Sequence, residues 1–163
     1  MTTEDFIFRE IQSEDNAQVA KVIRAVLIEL DVPKIGTAYE DKATDEMFEN
    51  FQKGTSTYYV IEHKGTIVGG AGIAQLDNFK GNICELQKMY FLPIARGKGL
   101  GSQLIAICLE KAKLLGFEKC YLETMPYMHA AKALYKKNGF MNLESPMGNT
   151  GHYSCNVWML KQL

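Results

Sequence analysis

The stretch ICELQKMYFLPIARGKGLGS, residues 83–102, decides the fold. It begins as an apolar run with the composition of a buried strand and is stopped by Pro93, which cannot continue a central strand. Three alternating glycines follow, Gly97, Gly99 and Gly101, and an apolar helical pattern starts immediately after them. The stretch therefore predicts a strand over 83–92, a short glycine-rich loop and a helix that begins near Leu100.

The loop between this strand and helix is typical of a phosphate-binding site. Glycines let successive backbone N–H groups converge on one point, and the helix N-terminus adds unpaired N–H groups and a positive dipole end. Arg96 and Lys98 add positive charge. The loop is neither a Walker A loop, which needs Gly-Lys-Ser/Thr, nor a dinucleotide fingerprint, because Ser102 replaces the third glycine. A connector that holds nothing is the alternative, and three glycines with two basic residues argue against it.

Working outward, periodicity and turn residues predict the other elements. Upstream lie a strand over 6–11, a helix that Ser13 caps and that ends near Leu30, a short helix over 44–51, and strands over 57–62 and 66–76. Downstream lie a helix ended by Gly116, a strand over 119–123, a helix over 128–138, and strands over 140–143 and 153–160. This order predicts a single α/β (α+β) domain over residues 1–163, with a mixed, mostly antiparallel twisted sheet of about seven strands and about four flanking helices.

Composition bounds the class of protein. A chain of 163 residues suits one domain, and its 47% hydrophobic and 23% charged residues are ordinary for a globular protein. The N-terminus has no signal-peptide pattern, and no apolar run reaches the roughly 18 residues of a membrane span. The four cysteines show no zinc-ligand spacing, so no metal site is predicted. We expect a reduced, cytoplasmic protein that does not bind membranes.

Charge is distributed unevenly along the chain. The net charge of −1 argues against nucleic-acid binding. Residues 1–80 carry 8 basic and 14 acidic side chains, whereas residues 81–140 carry 9 and 4. An acidic half beside a basic half would suit a cationic substrate and an anionic cofactor, although solvated surfaces also vary in charge by this much.

Two motifs resemble those of the GNAT superfamily of acetyl-CoA-dependent N-acetyltransferases. Arg96-x-x-Gly99-x-Gly101 matches the family's Arg/Gln-x-x-Gly-x-Gly/Ala signature, and the preceding Met-Tyr-Phe-Leu-Pro resembles its fourth strand. The segment AKALYKKNGF, residues 131–140, is similar to the family's A-x-x-L-Y-x-x-x-G-F block. The resemblance covers residues 83–141 in the family's order and at about its spacing.

The resemblance implies acetyl-CoA as cofactor and a GNAT-like fold. It implies that the pantetheine arm lies along backbone groups of Met89 and Phe91, as an added strand would. The pyrophosphate would lie in the loop formed by Arg96, Gly97, Lys98, Gly99, Leu100, Gly101 and Ser102. Many members have an asparagine seven residues before the tyrosine of the second block, where this chain has Met128, so Thr124 is a candidate to replace its hydrogen bond.

The chemistry that this implies is direct attack of an amine on a thioester. Glu85 interrupts an apolar strand at the position where some members keep a glutamate base, although it could instead pair with Lys88 or Arg96 or be exposed. Strict alternation places Glu85 on one face with Met89, opposite Lys88. A backbone N–H of a bulged strand near Met89 would stabilise the oxyanion. Tyr135 matches the family tyrosine beside the sulfur and would protonate the leaving thiolate, and its ring could also pack in the core.

Acceptor recognition is predicted around the first helix and the last hairpin. Tyr39, in an acidic loop, and Asn149 and His152, before the last strand, are candidate substrate contacts. His152 is also an alternative base, and a hairpin loop without a role is the other interpretation. Cys84, Cys108, Cys120 and Cys155 are expected to be buried, inert thiols.

Three functions remain open at this stage. The first is acetylation of a small-molecule amine, the second is acetylation of a protein N-terminus or lysine, and the third is a CoA-binding sensor without turnover. A homodimer through Trp158 and the apolar last strand is one interpretation of that strand, and a core position is the other.

Overall fold

A computed structural model describes residues 5–35, 37–77, 79–148 and 156–163. Its strands are β1 (Phe6–Glu10), β2 (Thr57–His63), β3 (Thr66–Gln75), β4 (Ile83–Phe91), β5 (Lys119–Thr124), β6 (Met141–Leu143) and β7 (Val157–Gln162). Its α-helices are α1 (Asn16–Glu29), α2 (Met47–Asn50), α3 (Leu100–Leu114) and α4 (His129–Lys137). The described part of the chain therefore has the seven strands and four helices that the sequence predicts.

The strands form one sheet in the order β1-β2-β3-β4-β5-β7-β6. Neighbours are antiparallel except β4 and β5, which are parallel because α3 crosses between them. The predicted mixed, mostly antiparallel sheet is thus confirmed. No helix among the described residues is both long enough and apolar enough to cross a membrane.

Two local predictions were wrong. Ser13 is not an α-helical cap but begins a 3₁₀ turn, Ser13–Asp15, because the backbone N–H of Gln12 donates to the Asp15 carboxylate at 2.7 Å. The helix predicted over 44–51 is split into a 3₁₀ turn, Lys42–Asp45, and the short α2. Asp41 starts that turn by accepting the Ala43 N–H at 2.9 Å.

Hydrophobic side chains pack on both faces of the sheet. On one face, α3 buries residues such as Leu104, Ile105 and Cys108 against β3 and β4. On the other face, α1 buries residues such as Ile23 and Leu27 against β2 and β3. Apolar periodicity on α1 and α3 thus yields two layers of helix with the sheet between them.

The parallel strands β4 and β5 separate partway along their length. Their pairing covers Ile83–Glu85 with Lys119–Tyr121, yet β4 continues to Phe91 and β5 to Thr124. Over that remaining length β4 stays paired with β3 and β5 with β7. The sheet therefore opens into a wedge whose walls are two strand edges, and a wedge of this kind can accept an extended ligand.

A β-bulge lies in β4 beside this opening. Gly70 pairs with Tyr90 and Gly72 with Gln87, so Lys88 and Met89 together face the single residue between the two glycines. Lys88 has a φ of 51°, in the left-handed region. The bulge reverses the predicted alternation, because Tyr90 returns to the face of the sheet that carries Gln87 and Glu85.

A buried tyrosine supports the bulge from the neighbouring strand. Tyr58 of β2 reaches across β3 and donates from its hydroxyl to the carbonyl of Lys88 at 2.8 Å. A Cβ at Gly70 would stand 2.7 Å from the Tyr58 ring, so glycine is required for this approach. A Cβ at Gly69 would likewise stand 2.6 Å from the Phe91 ring, so both adjacent glycines of β3 permit close packing here.

Candidate active site

The larger of two adjoining cavities lies beside the glycine-rich loop. It has a volume of about 410 Å³ and a mainly apolar wall formed by the end of β4, the start of α3 and one side of α4. Met89, Phe91 and Leu134 contribute to that wall, and Gly97, Gly99, Leu100, Gly101 and Ser102 form one end. The structure thus brings the predicted cofactor-contacting residues of β4 and of the loop to one cavity, except Lys98, which does not line it.

Backbone conformation determines the shape of the loop. Gly97 and Gly99 have φ values of 72° and 76°, and a Cβ at either would meet no atom within 4 Å. These glycines therefore serve the left-handed conformation rather than a close contact. Gly99 stands at the start of α3, so the first backbone N–H groups of that helix, which have no intrahelical acceptor, lie at the end of the cavity.

The basic side chains of the loop are engaged with the protein. Arg96 donates from Nε to the carbonyl of Phe91 at 3.0 Å and makes two hydrogen bonds to Glu29, at 2.6 and 2.9 Å. Lys98 donates to the carbonyl of Ile94 at 2.8 Å. These contacts hold the loop to β4 and to the end of α1. Contact of Arg96 or Lys98 with a phosphate of the cofactor remains a prediction.

The smaller cavity has a volume of about 70 Å³ and adjoins the first. Its polar wall comes from Glu85, Gln87 and Lys88 of β4 and from Glu123 and Thr124 of β5. Both cavities are lined by the same four residues, Met89, Tyr90, Met128 and Tyr135. The two spaces therefore meet where β4 bulges and the strands have separated.

Glu85 is the polar group most strongly perturbed by this arrangement. It is only 4% exposed and accepts a hydrogen bond from Gln87 at 2.6 Å. Burial raises the pKa of Glu85 to about 8, with smaller increases from Glu123 and Asp77, whereas the Gln87 hydrogen bond and the charge of Lys88 oppose the rise. Lys88 and Arg96, the two cations considered as partners, form ion pairs with Asp41 and Glu29 instead.

Tyr135 lies on α4 at the junction of the two cavities. It is 8% exposed, and its ring packs edge-on against Phe140 with the centroids 6.0 Å apart. The catalytic and the packing interpretations are thus compatible in the structure. Nearby, the hydroxyl of Thr124 donates to the sulfur of Met128 at 3.4 Å. Both residues line the smaller cavity, and Met128 stands where many family members have an asparagine.

Of the predicted substrate contacts, only Tyr39 lies among the described residues. The ring of Tyr39 is covered by Lys34 Nζ at 5.0 Å from the centroid, with the guanidinium of Arg24 at 5.9 Å, and it lines neither cavity. Asn149 and His152 lie outside the described residues. Their roles therefore stay predictions.

Sequence reasoning missed two residues of the smaller cavity as candidates for substrate contact. Lys88 was assigned to the face opposite Glu85, and only the bulge turns it toward the same space. Glu123 lies on β5 and accepts a hydrogen bond from the Tyr121 hydroxyl at 2.7 Å. The adjacent glycines of β3 were the one signal in the sequence that could have indicated the bulge.

The three cysteines among the described residues do not line the candidate site. Cys84, Cys108 and Cys120 are buried, reduced and outside both cavities. Burial raises the pKa of Cys108 to about 12, which opposes formation of a thiolate. Cys155 lies outside the described residues.

Comparison with known proteins agrees with this geometry. Residues 24–140 match the sequence profile of the Acetyltransferase (GNAT) family. The uncharacterised N-acetyltransferase YjgM of Escherichia coli is 42% identical over 159 residues, which cover 96% of this chain and 95% of that protein.

Solved structures share the fold at lower identity. A GNAT-family acetyltransferase of Staphylococcus aureus superposes with a TM-score of 0.83 at 19% identity, covering 96% of this chain and 98% of that one. YncA of Salmonella typhimurium, solved with its cofactor acetyl-CoA, superposes with a TM-score of 0.77 at 19% identity, covering 97% and 94%.

Proposed function

The chain belongs to the GNAT acetyltransferase family, which uses acetyl-CoA, and from this premise we propose that it transfers the acetyl group to the primary amine of a small molecule by direct attack. The observation that carries the proposal is the meeting of two cavities at Met89 and Tyr135, with a buried carboxyl, Glu85, in the smaller one. One cavity suits the cofactor, and the other suits the amine.

The larger cavity fits coenzyme A in shape and chemistry. Its apolar wall along β4 suits the pantetheine arm, whose amides would bond the strand edge at Met89 and Phe91. The N–H groups from Gly97 to Ser102 suit the pyrophosphate. When bound, acetyl-CoA supplies a thioester carbonyl as the electrophile.

Glu85 is proposed to remove the proton of the attacking amine, directly or through a water. A free alkyl amine has a pKa of roughly 10.4, so most of it is protonated at neutral pH and it needs a base. A carboxyl with a pKa of about 8 is a far stronger base than an exposed glutamate. Its burial, which raises that pKa, is therefore the property that fits it to the task.

Met89 and Tyr135 are proposed to stabilise the charges that develop. The bulge places an extra residue outside the β3–β4 ladder, so the Met89 N–H is available to donate to the carbonyl oxygen as it gains charge. The Tyr135 hydroxyl would protonate the leaving sulfur. A thiol has a pKa of about 8.5 and a tyrosine about 10, so a positioned tyrosine can serve as this acid.

The two alternatives are less well supported. A small second cavity of about 70 Å³ favours a small acceptor over a protein segment. A sensor that only binds CoA would need neither a carboxyl buried at 4% exposure nor a tyrosine at the junction. Burial of the carboxyl costs folding free energy, and the tyrosine constrains packing at the junction. A catalytic role explains why both are present.

The test combines binding with turnover. Calorimetric titration with acetyl-CoA is expected to show one site per chain, and a panel of small amines is expected to release free thiol from acetyl-CoA in proportion to acetylated amine. Absence of acetyl-CoA binding would overturn the cofactor site. Binding without acetylation of any small amine would overturn the proposed reaction and favour the sensor.

A further inference from the structure

Lys88 is the least expected residue of the smaller cavity. Its side chain is only 6% exposed, although lysine is among the residues least often buried. It lies at the bulge with a φ of 51°, a conformation that non-glycine residues rarely adopt. Asp41 of the loop after α1 is its ion-pair partner, at 3.3 Å and 36% exposed. A lysine ammonium has three donors, so this single long contact leaves room for another anion.

The same cavity also carries acidic groups. Glu85 and Glu123 line it from the two separated strands, and the charge of Glu123 helps to raise the pKa of Glu85. A cavity built for a simple cationic amine would need these carboxyls alone, and a buried lysine beside them would repel that amine. Because the cavity carries both negatively and positively charged side chains, it indicates a ligand that has both a positive and a negative charge.

We propose that the acceptor is a zwitterion, an amine with a carboxylate on the adjacent carbon, as in an α-amino acid, and that Lys88 binds the carboxylate while the amine lies toward Glu85 and Glu123. The proposal rests on the acetyl transfer proposed above and names the substrate class of the same site. Lys88 is then the residue that determines specificity, and it takes no part in the proton transfers.

The size of the cavity agrees with this class of acceptor. One enclosed water needs at least roughly 10–15 Å³ of such a space, so 70 Å³ admits about five to seven atoms of that size. The nitrogen, the central carbon and the carboxylate of an amino acid are five non-hydrogen atoms. The cavity thus accommodates the atoms that all α-amino acids share, and the side chain of the acceptor would extend beyond the cavity.

The placement of the two residues on β4 agrees as well. Glu85 and Lys88 lie three residues apart on this strand, and both line the smaller cavity. Lys88 also adjoins Met89, so a carboxylate held there keeps the amine beside the proposed oxyanion donor.

The transfer balances in bonds and protons. The nitrogen lone pair attacks the thioester carbon, the C–N bond forms and the C–S bond breaks, with its electron pair leaving on sulfur. The ammonium gives one proton through Glu85 to water before the attack, and the nitrogen gives a second to Glu85 once the C–N bond has formed. The sulfur takes a proton from Tyr135, which is reprotonated from water, so one proton is released per turnover. The product keeps its carboxylate but has lost the ammonium charge, which weakens its hold on the acidic side of the cavity.

The test compares matched acceptors and variants. Each amino acid of a panel is offered beside its carboxamide and its decarboxylated amine, and kcat and KM are measured separately. The expected result is a kcat/KM for the amino acid roughly 30-fold or more above that of its two partners. Lys88→Met should raise KM for amino acids by roughly 30-fold, leave the decarboxylated amines within about threefold, and leave the Kd of acetyl-CoA unchanged. Lys113→Met, at an exposed lysine on α3, is the control for loss of one charge.

A second variant separates binding from loop positioning. If Lys88 only anchors Asp41 and its loop, Asp41→Asn should reproduce the effect of Lys88→Met. If Lys88 binds the carboxylate, Asp41→Asn should keep the preference for amino acids, because asparagine retains the oxygen that accepts the Ala43 N–H and the lysine keeps its charge.

The outcomes distinguish the two proposals. Amines that are acetylated without any preference for the adjacent carboxylate would overturn the zwitterion and leave the acetyl transfer standing. Equal effects of Lys88→Met and Asp41→Asn would also overturn it. Acetyl-CoA binding with no acetylation of any panel member would overturn the transfer itself, and the zwitterion with it.

Discussion

Glu85 owes its proposed chemistry to its burial, at 4% exposure. Because its pKa is raised to about 8, the wild-type rate at subsaturating acceptor should rise with pH until about 8. We expect Glu85→Gln, which keeps the size and a hydrogen-bonding oxygen, to lower kcat/KM by roughly 10²- to 10⁴-fold and to remove this limb of the profile. The measurement is kcat/KM against pH for both proteins, with acetyl-CoA saturating.

The control for this prediction is Glu118→Gln, an exposed glutamate in the turn before β5. It should keep the wild-type profile. If Glu85→Gln retains the limb near pH 8, the base is another group, and His152 would become the next residue to replace.

Replacing Tyr135 with phenylalanine separates the role of its hydroxyl from the role of its ring, because the substitution removes the hydroxyl and keeps the ring. The ring contact with Phe140 would remain, so Tyr135→Phe should fold and keep the wild-type Kd for acetyl-CoA. We expect kcat to fall by roughly 10- to 100-fold, since the thiolate would leave without its proton donor. A kcat equal to wild type would show that the hydroxyl is dispensable and that the residue serves packing.

At this scale the sequence reveals some site residues and conceals others. Glu85 is visible because a charge interrupts an apolar strand, and Tyr135 because it lies in a recognisable block. Lys88 is hidden because alternation assigns it to the opposite face, and one extra residue in the ladder cancels that assignment. Arg96 looks free in the sequence, whereas its partner Glu29 lies 67 positions away.

At the scale of elements, the bulge in β4 and the separation of β4 from β5 create the site. The lengths and order of the strands follow from alternation, turn residues and the proline after β4. The separation does not, because it depends on which neighbours β4 and β5 keep on their outer sides. The bulge likewise depends on Tyr58, which reaches it from two strands away.

At the start of α3, two substitutions of similar size can separate the effect of an added negative charge on cofactor binding from the effect of an added side chain. Gly99 has a φ of 76° with open space around it, and asparagine and aspartate tolerate this conformation better than most residues. Gly99→Asp and Gly99→Asn should therefore both fold. We expect the aspartate to bind acetyl-CoA at least roughly tenfold more weakly than the asparagine, because it places a negative charge where the pyrophosphate is predicted.

Calorimetry of the two variants at low and high salt is the measurement. The difference in Kd should shrink as salt rises, since screening weakens repulsion between charges near solvent. Equal Kd values at low salt would place the pyrophosphate elsewhere.

At the scale of the whole molecule, both cavities take walls from helices on both faces of the sheet. Val26 of α1 and Leu100 of α3 line the larger cavity, whereas Leu27 of α1 and Tyr135 of α4 line the smaller one. The ion pair of Glu29 with Arg96 joins the end of α1 to the loop before α3 across the edge of the sheet. Apolar periodicity predicts each helix, but only the assembled layers show that their meeting point carries polar groups.

The buried carboxyl should also be visible in the stability of the whole molecule. Its pKa is raised from 4.5 to about 8 on folding, so the folded state holds this proton more tightly than the unfolded chain. The stability contributed by the protonated group is therefore complete below pH 4.5 and is lost as pH rises toward about 8. Glutamine cannot ionise and does not lose this stability. The free energy of unfolding of Glu85→Gln minus that of wild type should therefore increase by about 1.4 kcal/mol for each unit by which the pH rises over this range.

That gain should reach roughly 3 kcal/mol at pH 7 and level off above pH 8, so an inactive variant should be the more stable protein. Urea unfolding at a series of pH values without acetyl-CoA measures it, and Glu118→Gln should run parallel to wild type throughout. If Glu85→Gln also runs parallel, Glu85 ionises in the folded protein at an ordinary pKa. The cavity would then leave it a weak base, and the activation proposed for the amine would have to come from another group.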